Sequence, residues 1–394
     1  MLEHPSDLAA PSRPTAPPWR DYCDSLRGVV FGNAVDLLVD GREAFPAMLA
    51  AIESATTSVS LETYILADDA IGRRFAAALV AASARGVSCA LLYDAFGSRG
   101  LQGAFVARLR EAGVCVVVFR PLSARVALGR LRQRHHRKVL IVDGRVAFVG
   151  GMNVHVPAAP REEGGEGWRD VGVRVVGPAV GRLVALFLGS WRLARGRPTN
   201  LAVTVPPPDT RGAVAVRIIA AGRLRGRFAI RRAFLHAVAV ARDSVLVASG
   251  YFIPDPGLVR ELGRAVARGV RVAVLVPERS DVLVADWARG AVYERLLDAG
   301  VHMHHWRESG LHSKVAVVDD VWSMVGSYNF DRLSWLRNRE IVVNALDAGV
   351  ASRLGAMLRA DIAAAHEVTA DGWRGRSLWR RLLHRLAYAL VRWM

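Results

Sequence analysis

Residues 135–153 read HHRKVLIVDGRVAFVGGMN, and residues 311–329 read LHSKVAVVDDVWSMVGSYN. The two stretches align without gaps, and five polar or glycine positions recur at the same offsets. In the first copy these are His136, Lys138, Asp143, Gly150 and Asn153; in the second they are His312, Lys314, Asp319, Gly326 and Asn329. The interval from lysine to asparagine is 153 − 138 = 15 residues in one copy and 329 − 314 = 15 in the other. Packing alone could repeat the apolar letters, but it gives no reason to repeat a histidine, a lysine and an asparagine in register.

The repetition extends into the flanking sequence. Residues 58–94 and 244–278 each read as a strand, a polar turn, an amphipathic helix and a second buried strand. Residues 108–119 and 295–306 then read as a helix end, a glycine and a further strand. This alternation is typical of an α/β fold. A period of roughly 180 residues is too long for a solenoid and indicates two similar lobes from a duplicated domain.

The composition divides the chain into five segments. We expect a flexible tail over residues 1–27, a first lobe over 28–205, a linker over 206–212, a second lobe over 213–370 and a basic amphipathic helix over 371–394. Three consecutive prolines at 206–208 mark the linker, because proline fits neither a helix interior nor a central strand. The last segment repeats leucine every four residues among arginines and tryptophans. That pattern fits either a membrane-surface helix or a helix packed on its own lobe.

Charge and hydropathy narrow the function classes. The formal net charge is +17, which attracts nucleic acid or an anionic membrane leaflet without choosing between them. No apolar run reaches the length of a spanning helix, and the first residues do not resemble a signal peptide, so a cytoplasmic location is expected. The three cysteines, Cys23, Cys89 and Cys115, have neither metal-ligand nor disulfide spacing.

The repeated segment carries groups suited to a phosphodiester. Residues two apart on a strand share a face, so His312 and Lys314 point the same way. The strand returns over residues 322–325, and Gly326 with Ser327 is expected to turn the backbone so that Asn329 comes back to that face. Two lysines and two amides would hold the non-bridging oxygens most strongly in the transition state. One neutral histidine can attack phosphorus while the other, protonated, gives a proton to the leaving group. This chemistry requires no metal or other cofactor.

A nucleophilic histidine needs a partner on its second ring nitrogen. Asp170 and Glu340 each stand at the start of an apolar strand, 170 − 136 = 34 and 340 − 312 = 28 residues after a histidine. We expect them to orient the two rings. From the residues alone, Asp143 and Asp319 are expected to fix the hairpin turns rather than to touch substrate.

HRKVLIVD and HSKVAVVD, followed by GGMN and GSYN, resemble the HxKxxxxD signature of the phospholipase D superfamily. Over about residues 28–365, the segments ETYILADDAIGRRF, DGRVAFVGGMN, WRDVGVRVVGPAV and GYFIPD look like the bacterial cardiolipin synthases. The resemblance implies two α/β lobes, with mixed sheets flanked by helices and the active site at their interface. It implies a catalytic set that contains His136, Lys138, Asp143, His312, Lys314 and Asp319, with Asn153, Asn329 and Ser327 at the substrate. In this family the orienting carboxylate is often supplied across the interface, which would pair Asp170 with His312 and Glu340 with His136, but the sequence does not decide this pairing. Gly151 departs from the serine expected there, which leaves a hydroxyl contact in the first half open.

The resemblance also implies which reaction the protein catalyses and where in the cell it acts. Two phosphatidylglycerol molecules would exchange through a phosphatidyl-histidine to give cardiolipin and glycerol, with phosphatidylethanolamine as a further possible substrate. The chain resembles the shorter type without N-terminal spans, which would lie peripherally on the cytoplasmic side of the bacterial inner membrane. Around the first motif, Arg130, Arg132, Arg134 and Arg137 are expected to attract anionic head groups. The alternative to this transferase is a phospholipase or a nuclease that uses the same mechanism. A third hypothesis is a non-catalytic lipid-binding protein. Nucleic acid is not the expected partner. Head-group selectivity, the histidine that attacks and the oligomeric state stay open.

Overall fold

The computed structural model describes residues 18–121, 133–194, 209–222, 228–280 and 283–377, together with Gly226 and six helical positions between 379 and 388. The prolines at 206–208, Arg130, Arg132 and residues 1–17 lie outside the described residues. So do Leu378, Leu382 and Leu390 of the leucine pattern near the end of the chain.

The two repeats build two halves with the same succession of elements. The first half contains β1 (Val29–Val39), α1 (Asp40–Glu53), β2 (Ser58–Thr63), α2 (Ala70–Ala84), β3 (Ser88–Asp94), α3 (Gly103–Glu111), β4 (Cys115–Phe119), β5 (Val139–Val142), β6 (Val146–Gly150), β7 (Val171–Val176) and α4 (Val180–Leu193). The second contains β8 (Val214–Ala220), α5 (Ala229–Val240), β9 (Ser244–Ser249), α6 (Pro256–Ala267), β10 (Arg271–Pro277), α7 (Leu283–Asp298), β11 (His302–Trp306), β12 (Lys314–Val318), β13 (Trp322–Gly326), α8 (Arg332–Leu336), β14 (Ile341–Leu346) and α9 (Ala348–Ala364). After them come β15 (His366–Val368) and α10 (Ala370–Arg374).

The strands form one mixed sheet with two equivalent halves that join at its centre. The order is β15-β11-β10-β9-β12-β13-β14-β8-β1-β7-β6-β5-β2-β3-β4. Read outward from the central β8–β1 pair, both halves have the same strand order. Strands β14, β13, β12, β9, β10 and β11 of the second half correspond to β7, β6, β5, β2, β3 and β4 of the first. Strands β2, β3 and β4 pair in parallel, as do β9, β10 and β11, while the hairpins pair antiparallel. The predicted duplication and two-lobed α/β fold are confirmed.

Three apolar clusters fill the molecule. One lies in the first half and one in the second, on the outer side of each sheet half. The third joins strand residues of both halves with the apolar faces of α4 and α9, for example Phe187 and Leu354, which are fully buried. The central cluster packs the two motif-bearing hairpins against each other's lobes, and this contact positions the site.

The motif hairpins turn on residues with positive φ. Asp143 and Gly144 have φ values of 53° and 62°, and Asp319 and Asp320 have 52° and 50°. Two successive positive φ values are those of a tight turn, which is closed where the N–H of Arg145 donates to the carbonyl of Val142 and that of Val321 donates to the carbonyl of Val318. Gly326 has a different role from the one expected. A Cβ there would lie 2.2 Å from the carbonyl oxygen of Ile341, so the glycine allows two strands to approach closely rather than a tight turn.

Both predicted terminal segments differ from expectation. Residues 18–27 are not a tail: Trp19 and Tyr22 are buried in the cluster of the second half, and the Tyr22 hydroxyl donates to Asp319 at 2.7 Å. Burying two aromatic rings holds this segment in place. The helix expected over 371–394 is interrupted, because α10 ends at Arg374 with Gly375 as its cap and helical residues resume at Trp379.

The described helical positions from Trp379 onward differ in exposure. Trp379 is 69% exposed and Leu386 is 59% exposed. Ala387 is buried in the cluster of the second half. No helix within the described part of the chain is both long enough and apolar enough to cross a membrane.

Candidate active site

Each active-site histidine is anchored by the opposite lobe. The backbone N–H of His136 donates to the carbonyl of Arg339 at 3.0 Å, and that of His312 donates to the carbonyl of Arg169 at 2.8 Å. Each acceptor residue immediately precedes a candidate carboxylate. These two hydrogen bonds between the lobes therefore bring Glu340 and Asp170 to the histidines of the other lobe.

The side chains complete these crossed pairs. Nδ1 of His136 lies 3.0 Å from Oε2 of Glu340, and Nδ1 of His312 lies 2.8 Å from Oδ2 of Asp170. Glu340 is fully buried and Asp170 is 1% exposed. A carboxylate on Nδ1 holds the ring and leaves Nε2 for chemistry, the arrangement of an oriented nucleophile or general acid. These contacts are the ones that the resemblance implies.

The two pairs differ in one neighbour. The Ser327 hydroxyl donates to Oε2 of Glu340 at 2.5 Å and accepts the backbone N–H of Ile341 at 3.0 Å. Gly151 occupies the equivalent place beside Asp170, and a Cβ on it would lie 2.4 Å from Oδ1 of that carboxylate. The shorter aspartate thus fills the volume that the serine side chain occupies in the other pair. Ser327 contacts the orienting carboxylate, which is where the structure places the predicted hydroxyl.

The lysines and asparagines enclose the same space. Nζ of Lys138 donates to the carbonyl of His136 at 2.8 Å, and Nζ of Lys314 donates to that of His312 at 2.5 Å. Oδ1 of Asn153 accepts the N–H of Ile65 at 3.1 Å, which leaves its amide N–H groups for a ligand. Asn329 is 4% exposed, and its Oδ1 has no partner among the described residues.

Burial and mutual charge shift the pKa values in this site. Burial lowers the pKa of His136, and the neighbouring Lys138 adds to the effect while Glu340 opposes it. The pKa of His312 falls well below its usual value, through burial and then the charges of Lys314 and Lys138. Burial raises the pKa of Asp170 to about 7. Burial also acts to raise the pKa of Glu340, but His136 and the hydrogen bonds around it leave that pKa lowered.

The surroundings of Lys138 also disfavour the charged form of its side chain. Burial and then the charge of Lys314 lower the pKa of Lys138 well below its usual range, although Glu340 acts in the opposite direction. An anion placed between the two ammonium groups would favour their charged forms. The site is therefore electrostatically suited to a phosphate group.

The two signature aspartates lie away from the histidines. Asp143 follows β5 at the end opposite to Lys138, and its carboxylate accepts backbone N–H groups from Thr56, Thr57 and Ser58 at 2.8–3.2 Å. Asp319 likewise accepts from Arg242, Asp243 and Ser244, at 2.7–2.9 Å. The catalytic place that the signature implies for them is corrected: they clamp each hairpin to the start of the neighbouring strand.

A buried charged cluster behind His136 escaped the sequence analysis. Nε2 of His135 lies 3.0 Å from Oε2 of Glu62, and both side chains are at most 1% exposed. Arg137 is 2% exposed; its Nε donates to the carbonyl of Glu340 at 3.2 Å, and its Nη1 donates to Ser190 at 3.2 Å. The expectation that Arg137 attracts head groups from the surface is therefore wrong, because its guanidinium faces the interior. An arginine in a basic stretch before a strand gives no sequence signal that its side chain is buried.

Arg134 is nearly buried as well. Its Nη1 lies 3.8 Å from Asp94, and its guanidinium stacks over the Phe96 ring at 4.6 Å. It is therefore not a free surface cation of the kind expected around the first motif.

Three further rings line the site and were also missed. The Tyr64 ring lies 4.9 Å from that of His136, with Nζ of Lys138 5.3 Å from its centre. The Trp168 ring lies 5.4 Å from that of His312 and 5.2 Å from that of His155. Tyr64 and Trp168 lie within two of the segments that resemble the cardiolipin synthases, ETYILADDAIGRRF and WRDVGVRVVGPAV, and that resemblance was the available signal. Among the described residues no group of three or more His, Cys, Asp or Glu side chains gathers as a metal site would require.

Two lobes that share one buried site, with two crossed histidine–carboxylate pairs and two lysines, define a protein built to transfer a phosphodiester-bound group. The family model described as "Cardiolipin synthase, PLD-like domain" matches residues 48–163 and 234–362. The chain belongs to this family, and the resemblance drawn from the two motifs is confirmed.

Individual relatives agree over most of the chain. Cardiolipin synthase A of Pseudomonas aeruginosa is 35% identical over 357 residues, 90% of this chain and 72% of that protein. Cardiolipin synthase A of Pectobacterium carotovorum is 31% identical, over 93% of this chain and 77% of that protein. The major cardiolipin synthase ClsA of Bacillus subtilis is 32% identical, over 89% and 73%.

Solved structures share the fold at low identity. Phosphatidylserine synthase from Haemophilus influenzae superposes with a TM-score of 0.67 at 10% identity, covering 91% of this chain and 93% of that one. Polyphosphate kinase from Porphyromonas gingivalis gives 0.57 at 12% identity, covering 91% and 53%. At these identities the likeness shows the two-lobed fold and nothing finer.

Proposed function

We propose that the chain transfers a phosphatidyl group from one phosphatidylglycerol molecule to another, giving cardiolipin and glycerol. The crossed pairs His136–Glu340 and His312–Asp170 carry this proposal, because they place two oriented imidazoles in one buried site. The family and its phosphatidyltransferase members support the substrate class.

The first half-reaction forms a covalent intermediate. Nε2 of His136 attacks the donor phosphorus, the bond from phosphorus to the head-group glycerol oxygen breaks, and His312 gives its proton to that oxygen. The pKa of His312 is low in the free protein, and the negative charge of the bound phosphodiester raises it, so that the ring holds a proton for this step. Glu340 accepts the Nδ1–H of His136 and offsets the positive charge that grows on the ring. Lys138 and Lys314, with Asn153 and Asn329, hold the non-bridging oxygens.

The second half-reaction uses the same groups in reverse. His312, now neutral, takes the proton of a hydroxyl on a second phosphatidylglycerol, and that oxygen displaces His136 from phosphorus. The proton and the imidazole are both restored. Water in place of the lipid would give phosphatidate, so the buried setting of the site favours transfer by limiting water.

We further propose that the chain works as a peripheral protein on an anionic membrane, at the cytoplasmic side. The net charge of +17 and the exposed pair Trp379 and Leu386 support this, since aromatic and aliphatic side chains insert at the head-group level. Ala387 is buried in the cluster of the second half, so Ala387 contacts the lobe while the exposed Trp379 and Leu386 side chains are available to lipid.

The deciding experiment gives purified protein vesicles of phosphatidylglycerol. Cardiolipin and glycerol should form in equal amounts. Phosphatidate as the main product would make the chain a phospholipase. Cleavage of single-stranded DNA with untouched lipid would make it a nuclease, and either result would refute the proposed acceptor. Phosphatidylethanolamine, added in a parallel reaction, tests the wider head-group range.

A further inference from the structure

His155 is a buried histidine that the two-histidine reaction does not use. It follows Asn153 by two residues on extended backbone, with φ −158° and ψ 156°, and Val154 between them bridges to Leu66. Side chains two apart on extended backbone lie on the same side, so His155 lies on the side of the site asparagine. Its side chain is 7% exposed, and its Nε2 has no partner among the described residues. A buried polar atom without a partner is costly, which points to a ligand that supplies one.

Trp168 connects this residue to the reaction centre. Its ring lies between two imidazoles, 5.2 Å from His155 and 5.4 Å from His312. The indole is fixed, because Nε1 donates to Glu166 at 2.7 Å and a Cβ on Gly310 would lie 2.7 Å from the ring. His155 is therefore separated from His312 by one immobilised aromatic ring.

The second repeat has no such group. The interval from His155 to Asp331 is 331 − 155 = 176 residues, the same as from His136 to His312. The Asp331 carboxylate is already committed, since its Oδ1 accepts the N–H of Ser334 at 2.7 Å and caps α8. At this position, therefore, the first repeat has a buried ring nitrogen without a partner among the described residues, whereas the carboxylate in the second repeat is hydrogen-bonded. A donor lipid and an acceptor lipid present different groups to the site, and an asymmetric residue can distinguish them.

The chemistry of a neutral imidazole defines what it would bind. Burial lowers the pKa of His155 to about 4, so at neutral pH the ring has one N–H donor and one lone pair. A hydroxyl is both donor and acceptor and matches such a ring, whereas a phosphate prefers the cations of Lys138 and Lys314.

We propose that His155 binds the second hydroxyl of the acceptor's glycerol head group and, against the wall formed by Trp168, directs the neighbouring hydroxyl to His312. This inference rests on the proposed function and adds the subsite that selects a vicinal diol as acceptor. The contact is a hydrogen bond only; no proton leaves His155 during transfer.

The test is a competition between two alcohols for the phosphatidyl intermediate. Phosphatidylglycerol vesicles are the donor, and labelled glycerol competes with 1-propanol, which lacks the second hydroxyl. His155→Phe should lower the ratio of phosphatidylglycerol formed from labelled glycerol to phosphatidylpropanol about tenfold, the effect of one lost hydrogen bond. Transfer to labelled glycerol should therefore fall, whereas transfer to 1-propanol measured alone should change by less than about twofold, because that alcohol makes no hydrogen bond to His155. His155→Gln, which keeps a polar group near the Nε2 position, should retain part of the preference.

His304→Phe is the matched control. His304 is 8% exposed, has an unpartnered Nδ1, and lies on β11 among edge strands of the second half. It should leave the ratio at the wild-type value. If His155→Phe lowers the unfolding temperature, His155→Leu supplies the same readout with a smaller side chain.

An unchanged ratio in the His155 variants, or a loss of total transfer at constant ratio, would overturn the subsite. If the wild-type protein transferred to neither alcohol and made only phosphatidate, the proposed function would fail and the subsite with it. Wild-type transfer without any diol preference would remove the subsite and leave the proposed function intact.

Discussion

Replacing Gly151 by alanine should disable the His312 pair although the new side chain is a single methyl group. The added Cβ would lie 2.4 Å from Oδ1 of Asp170, and ordinary contact needs at least 3.4 Å, so the carboxylate must move by about 3.4 − 2.4 = 1.0 Å. Asp170 has little freedom to do so, because Oδ1 accepts the N–H of Val171 at 2.8 Å and Oδ2 holds His312 at 2.8 Å. A misplacement of about 1 Å in a catalytic arrangement can cost about 10²-fold in rate.

The assay is steady-state formation of cardiolipin from phosphatidylglycerol, with thermal unfolding measured on the same samples. We expect kcat to fall about 10²-fold in Gly151→Ala, and as far in Gly151→Ser, even though the serine makes the first motif more like the second. Gly189→Ala is the control, since a Cβ there meets nothing within 4 Å in the interior of α4. It should keep wild-type activity and gain up to about 1 kcal/mol in stability. Full activity of Gly151→Ala would refute the idea that the position of Asp170 controls His312.

Further predictions concern the histidines, the pH profile, the buried cluster and the membrane. His136→Ala and His312→Ala should each abolish turnover, and mixing the two should restore nothing, because each chain holds its own crossed pairs; recovery on mixing would place the site between chains. A phosphohistidine adduct should map to His136, and an adduct on His312 would exchange the two roles. The pH profile of kcat/KM should be bell-shaped with both limbs below 6.5, because burial lowers the pKa of His136, which must be neutral, and the pKa of His312, which must be protonated; a titration of initial rates would show this. Glu62 and Arg137 are buried opposite charges that stabilise each other's charged forms. Glu62→Gln and Arg137→Met should therefore each lower the free energy of unfolding by about 3–5 kcal/mol by leaving the other charge without its opposite, and the double variant by less than their sum, measured in denaturant. Trp379→Ala with Leu386→Ala should weaken binding to anionic liposomes, and added salt should weaken it further; binding equal to wild type at every salt concentration would assign this segment to packing alone.

The fold was predictable because the decisive signals are periodic and duplicated. Apolar runs of four or five residues followed by an Asp-Gly or Asp-Asp turn specify a hairpin locally, and β5–β6 and β12–β13 form it. The same pattern in two copies then predicts two halves of the sheet. Local sequence could not predict that β1 and β8 pair and join those halves, because this contact depends on how complete lobes pack.

The missed features depend on long-range burial. Arg137 stands in a basic stretch and reads as a surface cation, yet the opposite lobe covers it and supplies the carbonyl of Glu340 as an acceptor. Trp19 lies in a proline-rich terminus and reads as part of a tail, but an apolar cluster distant in sequence receives it. Gly326 was expected to turn the chain, and only the neighbouring strand shows that its missing side chain is what matters.

The crossed carboxylates give the duplication a chemical consequence. Neither lobe contains a histidine together with the carboxylate that orients it, since Glu340 serves His136 and Asp170 serves His312. In a separated lobe the histidine would have no carboxylate to orient it, and the site would contain one lysine instead of two. A fully symmetric pair of lobes would in turn treat donor and acceptor alike, although one loses a head group and the other keeps it. The differences between the copies lie close to the site: Gly151 against Ser327, Arg137 against Ser313 and His155 against Asp331. Symmetry supplies two lysines, two asparagines and two oriented histidines, and in the reaction that we propose these few departures from symmetry distinguish two chemically similar lipids.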